Sequence, residues 1–595
     1  MKKSGTKTSR PVPTRKVTSG SSAPGATFGD WLEFLGIDPT GNQWEPSWPP
    51  DVFAVAAAIL RRTGGYATLL TSASAGANSR LAEELGVRWR DELSKNIRRD
   101  GDFNPKNHLA PIKIRVWFSA LLKGRRKTFQ ELSTDSTIRK AALRLCAASD
   151  TACAGIGITP KDNVFLSFAQ RVLARRNFNR SFCYLINPER LVVLGKQHTP
   201  QRGCTIRSIS HHLSLYVPSE IDAIWYGPFE PAHGELDVLN LLLLPWPTEI
   251  QTRDFSLAER VSTSDTTTHG RKVGAKVGVR AGDGSSYRYF EYVPVKQDSP
   301  SALKKKIKSA LRLARNHADS IHGVVLPEMA LDVEQYRVAE KIVAEAGAML
   351  ISGVRVPGRN VGSGSEVGMP QNVCAIQPLG LTSAASDLGD ELSAVLEYTR
   401  HLQLKHHRWC LDRNQVLQYG LGGRIPASKD CWEHIHVGDR SIAFVTLMRW
   451  LTTCALLCED LARQEPVAEV IRAVGPNLVI ALLMDGPQLR HRWSSRYASV
   501  LAEDPGCSVL TLTSLGMVNR SRPLDQSKEL EESSPVVALW RDALYGEREI
   551  SIPAGHNACV LSLVSRRKRE YTLDDRHDES ESYFPVFAGS YTFKV

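Results

Sequence analysis

The strongest constraint on the fold is a change in hydrophobic pattern near residue 235. The segment Val238–Leu244 is almost entirely apolar, and Pro245 and Pro247 follow it. A short apolar run that ends at prolines is typical of a strand buried on both faces of a sheet. Further strands are expected at Gly323–Leu326 and Ala348–Val354, with a helix between them. Strands that alternate with helices predict an α/β layered domain.

Two helices are expected in this part of the chain, at Ser301–His317 and Val333–Ala346. A polar stretch rich in Gly, Ser, Thr and Arg interrupts the pattern at about residues 252–286 and predicts a long surface insertion. The ordered pattern returns at Tyr287–Val295. We therefore place one domain at residues 235–595, with this insertion inside it.

Residues 28–232 predict a mainly helical domain. A helix pattern follows Pro50, with Asp51 as its N-cap, and ends near Gly64. Acidic N-caps and terminal glycines are common start and stop signals of helices. Short strands are expected at two places inside this domain, near residues 183–186 and 191–194.

The positive charge of the chain is concentrated on its N-terminal side. Residues 1–230 hold 33 Lys and Arg against 19 Asp and Glu, whereas the remaining residues hold 42 and 44. Such asymmetry fits a partner such as nucleic acid or an acidic protein surface, and it equally fits a solvated basic face. Residues 1–27 are basic and polar, which predicts a disordered tail.

No segment predicts a signal peptide or a membrane span. Residues 1–26 lack the apolar centre of a secretory signal. The longest apolar runs, Val52–Leu60 and Leu478–Met484, fall well short of the roughly 20 residues that a spanning helix requires. The eleven cysteines are scattered without a repeated spacing, which indicates free thiols in a reducing compartment. We therefore expect a soluble, cytoplasmic protein.

Cys458 occupies a position at which enzymes present nucleophiles. It follows the apolar run Thr452–Leu457 and precedes Glu459 and Asp460, so it lies where a buried strand gives way to a turn. A free thiol has a pKa of about 8.5 and needs a nearby base to react as a thiolate at neutral pH. One cysteine in such a position does not by itself indicate catalysis.

Two further residues of catalytic type follow strand-like segments upstream of Cys458. Glu328 ends an apolar run, where burial would raise the pKa of its carboxyl and make it a better base. Lys405 ends a segment, residues 395–405, in which apolar side chains recur at every second position, so the lysine points to the opposite face. Taken singly, each is better explained as an exposed residue at a strand end.

Glu328, Lys405 and Cys458, in this order and each at the end of a strand-like run, resemble the motifs of the carbon–nitrogen hydrolase (nitrilase) superfamily. The resemblance covers roughly residues 235–564 and implies an α-β-β-α sandwich, here preceded by the helical domain. It implies Glu328 as the general base, Lys405 as the oxyanion stabiliser and Cys458 as the nucleophile, with the backbone N–H of Glu459 beside the oxyanion. It also implies a homo-oligomer.

The sequence departs from compact family members in the insertion at 252–286, in extra length at 444–453, and at one site position. Many members carry a further glutamate several residues after the lysine, but the stretch Cys410–Gln415 has none. Either Asp412 or Gln415 takes that auxiliary role, or the site is specialised or impaired. The segment Glu433–His436 places two histidines on one face of a strand. Because no second group of ligands lies in register, we interpret it as a solvent-facing strand, and we expect neither a metal ion nor a cofactor.

These residues together predict a hydrolase of non-peptide C–N bonds that acts on a small amide or nitrile through a cysteine thioester. The alternative is a non-catalytic nitrilase-like scaffold or sensor, whose basic N-terminal domain binds nucleic acid or a protein partner. The two-part layout is similar to that of nitrilase-like domains fused to other modules in bacterial defence systems, which suggests an antiviral or regulatory setting.

Overall fold

The structure is a computed structural model, and it describes most of the chain. The described residues exclude 1–25, 39–45, 68–74, 96–108, 155–179, 198, 201–202, 219–220, 228–236, 259–286, 359–367, 379, 381–387, 390, 439, 449, 522–534 and 578–580. The predicted basic tail and most of the predicted insertion therefore lie outside the described residues.

The helices of the described part fall into an N-terminal group and a group that alternates with strands. In chain order they are α1 Phe28–Phe34, α2 Pro49–Thr63, α3 Ala75–Lys95, α4 Ile112–Leu122, α5 Phe129–Thr134, α6 Ser136–Ala152, α7 Pro300–Ala314, α8 Val333–Glu345, α9 Leu392–Thr399, α10 Arg413–Gln418, α11 Glu469–Val474, α12 Trp493–Glu503 and α13 Leu515–Arg520.

Among the described residues, the strands follow the N-terminal helices. In chain order they are β1 Val192–Gly195, β2 Leu213–Tyr216, β3 Asp222–Tyr226, β4 Val238–Leu243, β5 Phe255–Leu257, β6 Tyr287–Tyr292, β7 Gly323–Asp332, β8 Met349–Val356, β9 Gln371–Gln377, β10 His401–Leu404, β11 Cys410–Leu411, β12 Asp430–Glu433, β13 Ser441–Met448, β14 Leu451–Leu457, β15 Leu478–Leu482, β16 Ser508–Leu512, β17 Val536–Asp542, β18 Gly546–Ser551, β19 Ala558–Arg569 and β20 Glu581–Phe593.

Two seven-stranded sheets form the centre of the molecule. The first has the order β10-β9-β8-β7-β4-β19-β20, and the second has the order β18-β17-β16-β15-β14-β13-β3. Strands β4, β7 and β8 are parallel in the first sheet, and strands β14, β15 and β16 are parallel in the second. A smaller sheet, β11-β12-β6-β5, and the β1-β2 pair complete the pattern.

The two large sheets pack face to face. Leu241 and Val325 of the first sheet share a buried cluster with Ala455 and Ile480 of the second. Helices α7 and α8 pack on the outer face of the first sheet, where residues such as Ile307 lie in a second cluster. This packing explains why β4, β14 and β15 are apolar at nearly every position, since both of their faces are covered. The mixed α/β class predicted from the sequence is confirmed.

The N-terminal helices share a core with the second sheet. Val55 and Ile59 of α2 lie in the same buried cluster as Leu456 of β14 and Ile471 of α11. Strand β3, which precedes the predicted domain boundary, pairs in parallel with β13 and forms an edge of the second sheet. The two predicted domains are therefore joined by main-chain hydrogen bonds and by a common apolar core.

A buried ion cluster joins the same two parts of the chain. Arg576 is buried, and its guanidinium lies 3.2 Å from the carboxylate of Asp150 in α6 and 3.0 Å from that of Asp574. The Asp150 carboxylate also accepts hydrogen bonds from the backbone N–H groups of His211 and His212. The C-terminal segment around residue 576 is thus tied to the N-terminal helices.

Two local predictions in the N-terminal part are wrong. Helix α2 begins at Pro49 with Trp48 as its N-cap, not at Asp51. The buried Asp51 carboxylate instead accepts backbone N–H groups of residues 184–186, and these groups are therefore not available to a neighbouring strand. This explains why no strand forms at 183–186, whereas the strand expected near 191–194 is present as β1. Gly64 ends α2 in the left-handed conformation, as its position predicts.

The start predicted for the insertion, residue 252, is too early in the chain. Strand β5, Phe255–Leu257, pairs with β6 on the far side of the insertion, because Phe255 lies fully buried beside Phe290 and Tyr292. Residues 259–286 lie outside the described part of the chain. Among the described helices, none combines the length with the apolar character needed to cross a membrane.

Candidate active site

Glu328 lies in a bulge within β7 rather than in a turn after the strand. β7 pairs with β8 as far as Leu326 and again from Leu331, and the register shifts between these two points. Met329, inside the bulge, has a φ of 56°, a left-handed conformation that residues other than glycine rarely adopt. The bulge leaves the Glu328 side chain buried in the interior.

Gly353 of β8 makes room for this bulge. A Cβ atom at Gly353 would lie 2.5 Å from the Cα atom of Glu328 and 2.5 Å from the backbone nitrogen of Met329. Real contacts of this kind are much longer, so only glycine allows the backbone of β7 to approach β8 so closely here.

Lys405 directly follows β10, and its backbone N–H donates to the carbonyl oxygen of Asn372 in β9 at 2.8 Å. The predicted strand over residues 395–405 is wrong in its first half, because residues 392–399 form α9. Leu392 and Leu396, four residues apart, pack together against α8, a spacing that places both on one face of a helix. Within β10 the alternation holds, and Lys405 is fully buried.

Cys458 lies at the carboxyl end of β14 and begins a short 3-10 helix, Cys458–Ala462. Its φ of 42° is again in the left-handed region. Conformations of this kind are costly and are concentrated at functional sites, where the surrounding structure holds them in place. Cys458 is 4% exposed, so any substrate must reach it through a narrow opening or after a movement.

A buried ion cluster forms around Lys405. Its Nζ atom lies 2.8 Å from Oε1 of Glu328 and 2.6 Å from Oε2 of Glu433. The backbone N–H of Trp409 donates to the same Glu433 oxygen at 3.1 Å. Two carboxylates therefore hold one ammonium group, and a third donor of that ammonium remains for another acceptor.

Asn372 connects the two carboxylates. Its Nδ2 atom donates to Oε1 of Glu328 at 2.7 Å and to Oε1 of Glu433 at 2.9 Å. Both N–H groups of the carboxamide are used in this way. The bridge reduces the repulsion between two acidic side chains that would otherwise face each other only through Lys405.

The three predicted site residues act on each other electrostatically. Burial raises the pKa of Glu328; Lys405 opposes this rise, and the Glu433 charge adds to it. Burial also acts to lower the pKa of Lys405, but the two glutamates outweigh it and keep the lysine charged. Burial raises the pKa of the Cys458 thiol well above its ordinary value; the charge of Glu328 adds to this rise, and Lys405 opposes it. The thiol is therefore protonated at neutral pH and needs a base to react.

The turn after Cys458 is tied to the turn after Lys405. The buried Asp460 carboxylate accepts the backbone N–H of His406 at 3.1 Å and that of His407 at 2.9 Å. The side chain of Glu459 pairs with Arg463, away from the ion cluster. The backbone N–H of Glu459 lies in the first turn of the 3-10 helix, where N–H groups have no acceptor inside the helix.

The two residues predicted as auxiliary groups have other roles. Asp412 is the N-cap of α10 and accepts the backbone N–H of Gln415 at 2.8 Å. The side chain of Gln415 accepts the indole N–H of Trp409 at 3.2 Å. In the described structure the second acid beside Lys405 is Glu433, which is supplied by the small sheet.

Sequence reasoning therefore missed Glu433 and Asn372. The segment 433–436 was predicted to face solvent, but Glu433 is buried at the end of β12. His434, beside it, bonds to Glu291 at 2.6 Å. One signal was available, because Glu433 is an acidic residue at the end of a strand-like run, as Glu328 is.

Asp485, three residues after the end of β15, is a further charged residue that acts on the Cys458 thiol. Asp485 accepts the hydroxyl of Tyr419 at 2.5 Å, the guanidinium of Arg492 at 2.6 Å and the indole N–H of Trp493 at 2.9 Å. Its charge adds to the rise in the Cys458 pKa, whereas a hydrogen bond with the Met484 backbone opposes that rise.

A metal ion or a bound substrate would each need a particular arrangement of the described residues. Among the described residues, no group of three His, Cys, Asp or Glu side chains is arranged to hold a metal ion. A cavity of about 380 Å³ is lined by Ile250, Tyr419 and Arg520 among others, and the residues of the ion cluster are not part of its lining. We therefore do not assign it as the substrate site.

No protein-family model matches the chain, and no curated protein matches its sequence. Solved structures of the carbon–nitrogen hydrolase (nitrilase) superfamily are similar to about half of it. A carbon–nitrogen hydrolase from Helicobacter pylori G27 is 11% identical, with 53% of this chain and 86% of that chain covered and a TM-score of 0.28. Nit3 of Saccharomyces cerevisiae, a member of branch 10 of the superfamily, is 10% identical, with 53% and 87% covered and a TM-score of 0.28.

Proposed function

We propose that the protein is a carbon–nitrogen hydrolase that cleaves a small amide or nitrile through a thioester on Cys458. The observation that carries this proposal is the buried contact of Lys405 with Glu328 and Glu433 beside a cysteine in a strained turn. Strands β7, β10 and β14 bring together residues that are far apart in the chain. A base, a cation and a thiol are the groups that acyl transfer to sulfur requires.

For an amide, acylation would begin with proton transfer from the Cys458 thiol to Glu328. The thiolate attacks the carbonyl carbon and forms the C–S bond, while the remaining donor of Lys405 and the Glu459 backbone N–H stabilise the oxyanion. The oxyanion then collapses, the C–N bond breaks, and Glu328 returns its proton to the leaving nitrogen. The raised pKa of Glu328 suits this exchange, because proton transfer is most efficient when the pKa of the base is near the working pH.

Deacylation would use the same groups with water. Glu328 accepts a proton from the water molecule, whose oxygen attacks the thioester carbon. The C–S bond breaks, the thiolate takes the proton back, and the carboxylic acid leaves. Glu433 and Asn372 keep Lys405 and Glu328 in place during both half-reactions.

The test is to trap the acyl-enzyme on the full-length protein. A panel of small primary amides and nitriles is incubated with the wild type, the mixture is quenched in acid, and the mass of the peptide that contains Cys458 is measured. We expect a mass increase equal to the acyl group, together with release of ammonia. Cys458→Ala should show neither signal, whereas Cys454→Ala, at a buried cysteine of the same strand, should retain both. Ammonia release from a Cys458→Ala preparation would overturn the mechanism.

A second candidate function is binding of a partner by the N-terminal helices. Leu109, just before α4, is 49% exposed, and Ile112 and Val116 of α4 are 71% and 59% exposed, with Lys113 between them. Apolar side chains flanked by basic residues favour a binding surface. The net positive charge of residues 1–230 supports nucleic acid as the ligand.

This candidate is tested with the full-length protein, because the N-terminal helices share their core with the sandwich. Fluorescence anisotropy with labelled single-stranded RNA and duplex DNA is recorded over a salt series. Phosphate contacts predict that affinity falls steeply with salt, and that Lys113→Glu weakens binding more than Lys304→Glu on α7 does. Binding that does not respond to salt would contradict a nucleic-acid role.

A further inference from the structure

The buried ion cluster around Lys405 contains two hydrogen-bond acceptors that have no partner among the described residues. They are Oε2 of Glu328 and Oδ1 of Asn372. The proposed function already uses the first, since Oε2 is the free carboxylate oxygen that can take the thiol proton. The second has no part in that chemistry.

The orientation of the Asn372 carboxamide follows from its neighbours. Its Nδ2 atom faces a carboxylate oxygen on each side, at 2.7 Å and 2.9 Å. A flipped carboxamide would place a carbonyl oxygen against two acceptors, which is repulsive. Oδ1 is therefore an acceptor that requires a donor, and Asn372 is completely buried. Buried acceptors almost always have a partner, because a buried acceptor without a hydrogen bond costs free energy.

An amide substrate offers a donor that fits this requirement. The nitrogen of an amide must present its lone pair to the protonated Glu328 before it can leave, so its N–H groups must point elsewhere. Asn372 bonds directly to Glu328 and so lies beside the place where this nitrogen would be protonated. A nitrile or an ester has no N–H at the corresponding atom.

We propose that Asn372 is a specificity-determining residue that accepts an N–H of the leaving nitrogen, so that the site selects amides over nitriles and esters. This inference rests on the proposed function, because it needs Glu328 and Cys458 to act on the same substrate. It assigns Asn372 a contact with the substrate, in addition to its bridge between the two glutamates.

The experiment compares amide with ester turnover in the full-length protein. Matched pairs of primary amide and methyl ester are used, with acetyl, butyryl, hexanoyl, succinyl and phenylacetyl as acyl groups. The quantity measured is the ratio of kcat/KM for amide to that for ester, since general damage to the thiol or the lysine lowers both and leaves the ratio unchanged. Asn372→Leu should lower this ratio by about tenfold, which is the effect of one lost hydrogen bond.

Asn372→Asp is the second variant, and it keeps an oxygen at the acceptor position but can donate to at most one of the two glutamates. Both rates should fall in this variant, while the ratio stays near that of the wild type. An unchanged ratio in Asn372→Leu, or an equal loss of the ratio in Asn372→Asp, would overturn the inference. If the wild type forms no adduct on Cys458 from any amide, nitrile or ester, the proposed function itself fails, and that outcome is recognised before the variants are compared.

Discussion

Lys405 is a buried ammonium that depends on its two carboxylate partners. A lone charge in this position would be strongly disfavoured by the loss of water, and two carboxylates without a cation would repel each other. The group is therefore a set of charges that can persist only together, with Asn372 as its neutral member. When the Cys458 thiol is neutral, the two carboxylates and the single ammonium group carry a net charge of −1. This negative charge favours acceptance of a proton by Glu328.

Replacement of Glu433 should shift the acid limb of the pH profile of kcat/KM. The Glu433 charge raises the pKa of Glu328, so Glu433→Gln should lower that pKa. Glu328 acts deprotonated, and a lower pKa keeps it deprotonated in more acidic solution, so the acid limb of kcat/KM should move to lower pH. The maximal rate should fall by about a hundredfold, because Lys405 loses a charged partner that fixes its position.

Glu291→Gln is the control for this prediction, because Glu291 bonds to His434 and lies outside the ion cluster. Its acid limb should coincide with that of the wild type. An acid limb that does not move in Glu433→Gln would mean that Glu328 does not govern it.

The three candidate site residues were chosen from the sequence, but the side chains that contact them were not. Glu328, Lys405 and Cys458 follow apolar runs, and such runs can be recognised from local pattern alone. Glu433 could not be connected with Lys405 in this way, because the two residues belong to different sheets and meet only through tertiary packing. Asn372 is a polar residue at the start of a strand, and only the pairing of β9 with β10 brings it opposite Lys405.

At the scale of single elements, the β7 bulge positions Glu328. Its geometry depends on the space that Gly353 leaves in β8. We expect Gly353→Ala to push the backbone of residues 327–329 away and to lower kcat by about a hundredfold. The free energy of unfolding should fall by only about 1–3 kcal/mol, as for other overpacked sites. Turnover and urea denaturation measure the two effects separately.

Gly422→Ala serves as the matched control, because a Cβ atom at Gly422 would meet open space. Its turnover and stability should equal those of the wild type. A fully active Gly353→Ala enzyme would show that the bulge can shift without moving Glu328.

Helix and strand patterns compete most closely in short segments. Residues 395–399 carry apolar side chains at a spacing of two, but the buried pair Leu392 and Leu396 has the spacing of four that a helix requires. The predicted segment began at residue 395 and therefore did not include Leu392, the first member of this pair. By contrast, the buried strand expected at Thr452–Leu457 is present as β14, because an apolar run covered on both faces has no competing helical pattern.

At the scale of the whole molecule, the shared core makes the two predicted domains dependent on each other. A fragment of residues 235–595 would lack β3 and would expose Leu456 and Ile471. We expect it to aggregate or to bind a hydrophobic dye, whereas a chain that lacks only residues 1–25 should remain folded. A monomeric 235–595 fragment with a cooperative unfolding transition would contradict this expectation.

The ion cluster at Arg576 should contribute to the stability of the whole chain. Arg576→Met leaves Asp150 and Asp574 without their cation, and breaking a buried pair costs about 3–5 kcal/mol. Urea denaturation of the full-length protein measures the loss. Arg567→Met removes an exposed arginine 3.7 Å from Glu581 and should cost less than about 1 kcal/mol. Equal losses in the two variants would argue against a special role for Arg576.

Because most of the cysteines are buried, the two partly exposed ones can serve as attachment points for spectroscopic labels. All eleven cysteines are free thiols, and only Cys204 and Cys410 are partly exposed. Burial raises the pKa of Cys410 to about 11, so its thiolate fraction grows only in alkaline solution. Cys204 belongs to the N-terminal part of the chain, and Cys410 belongs to the small sheet that carries Glu433. Fluorophores attached to these two partly exposed thiols could therefore follow the distance between the two regions without any engineered residue.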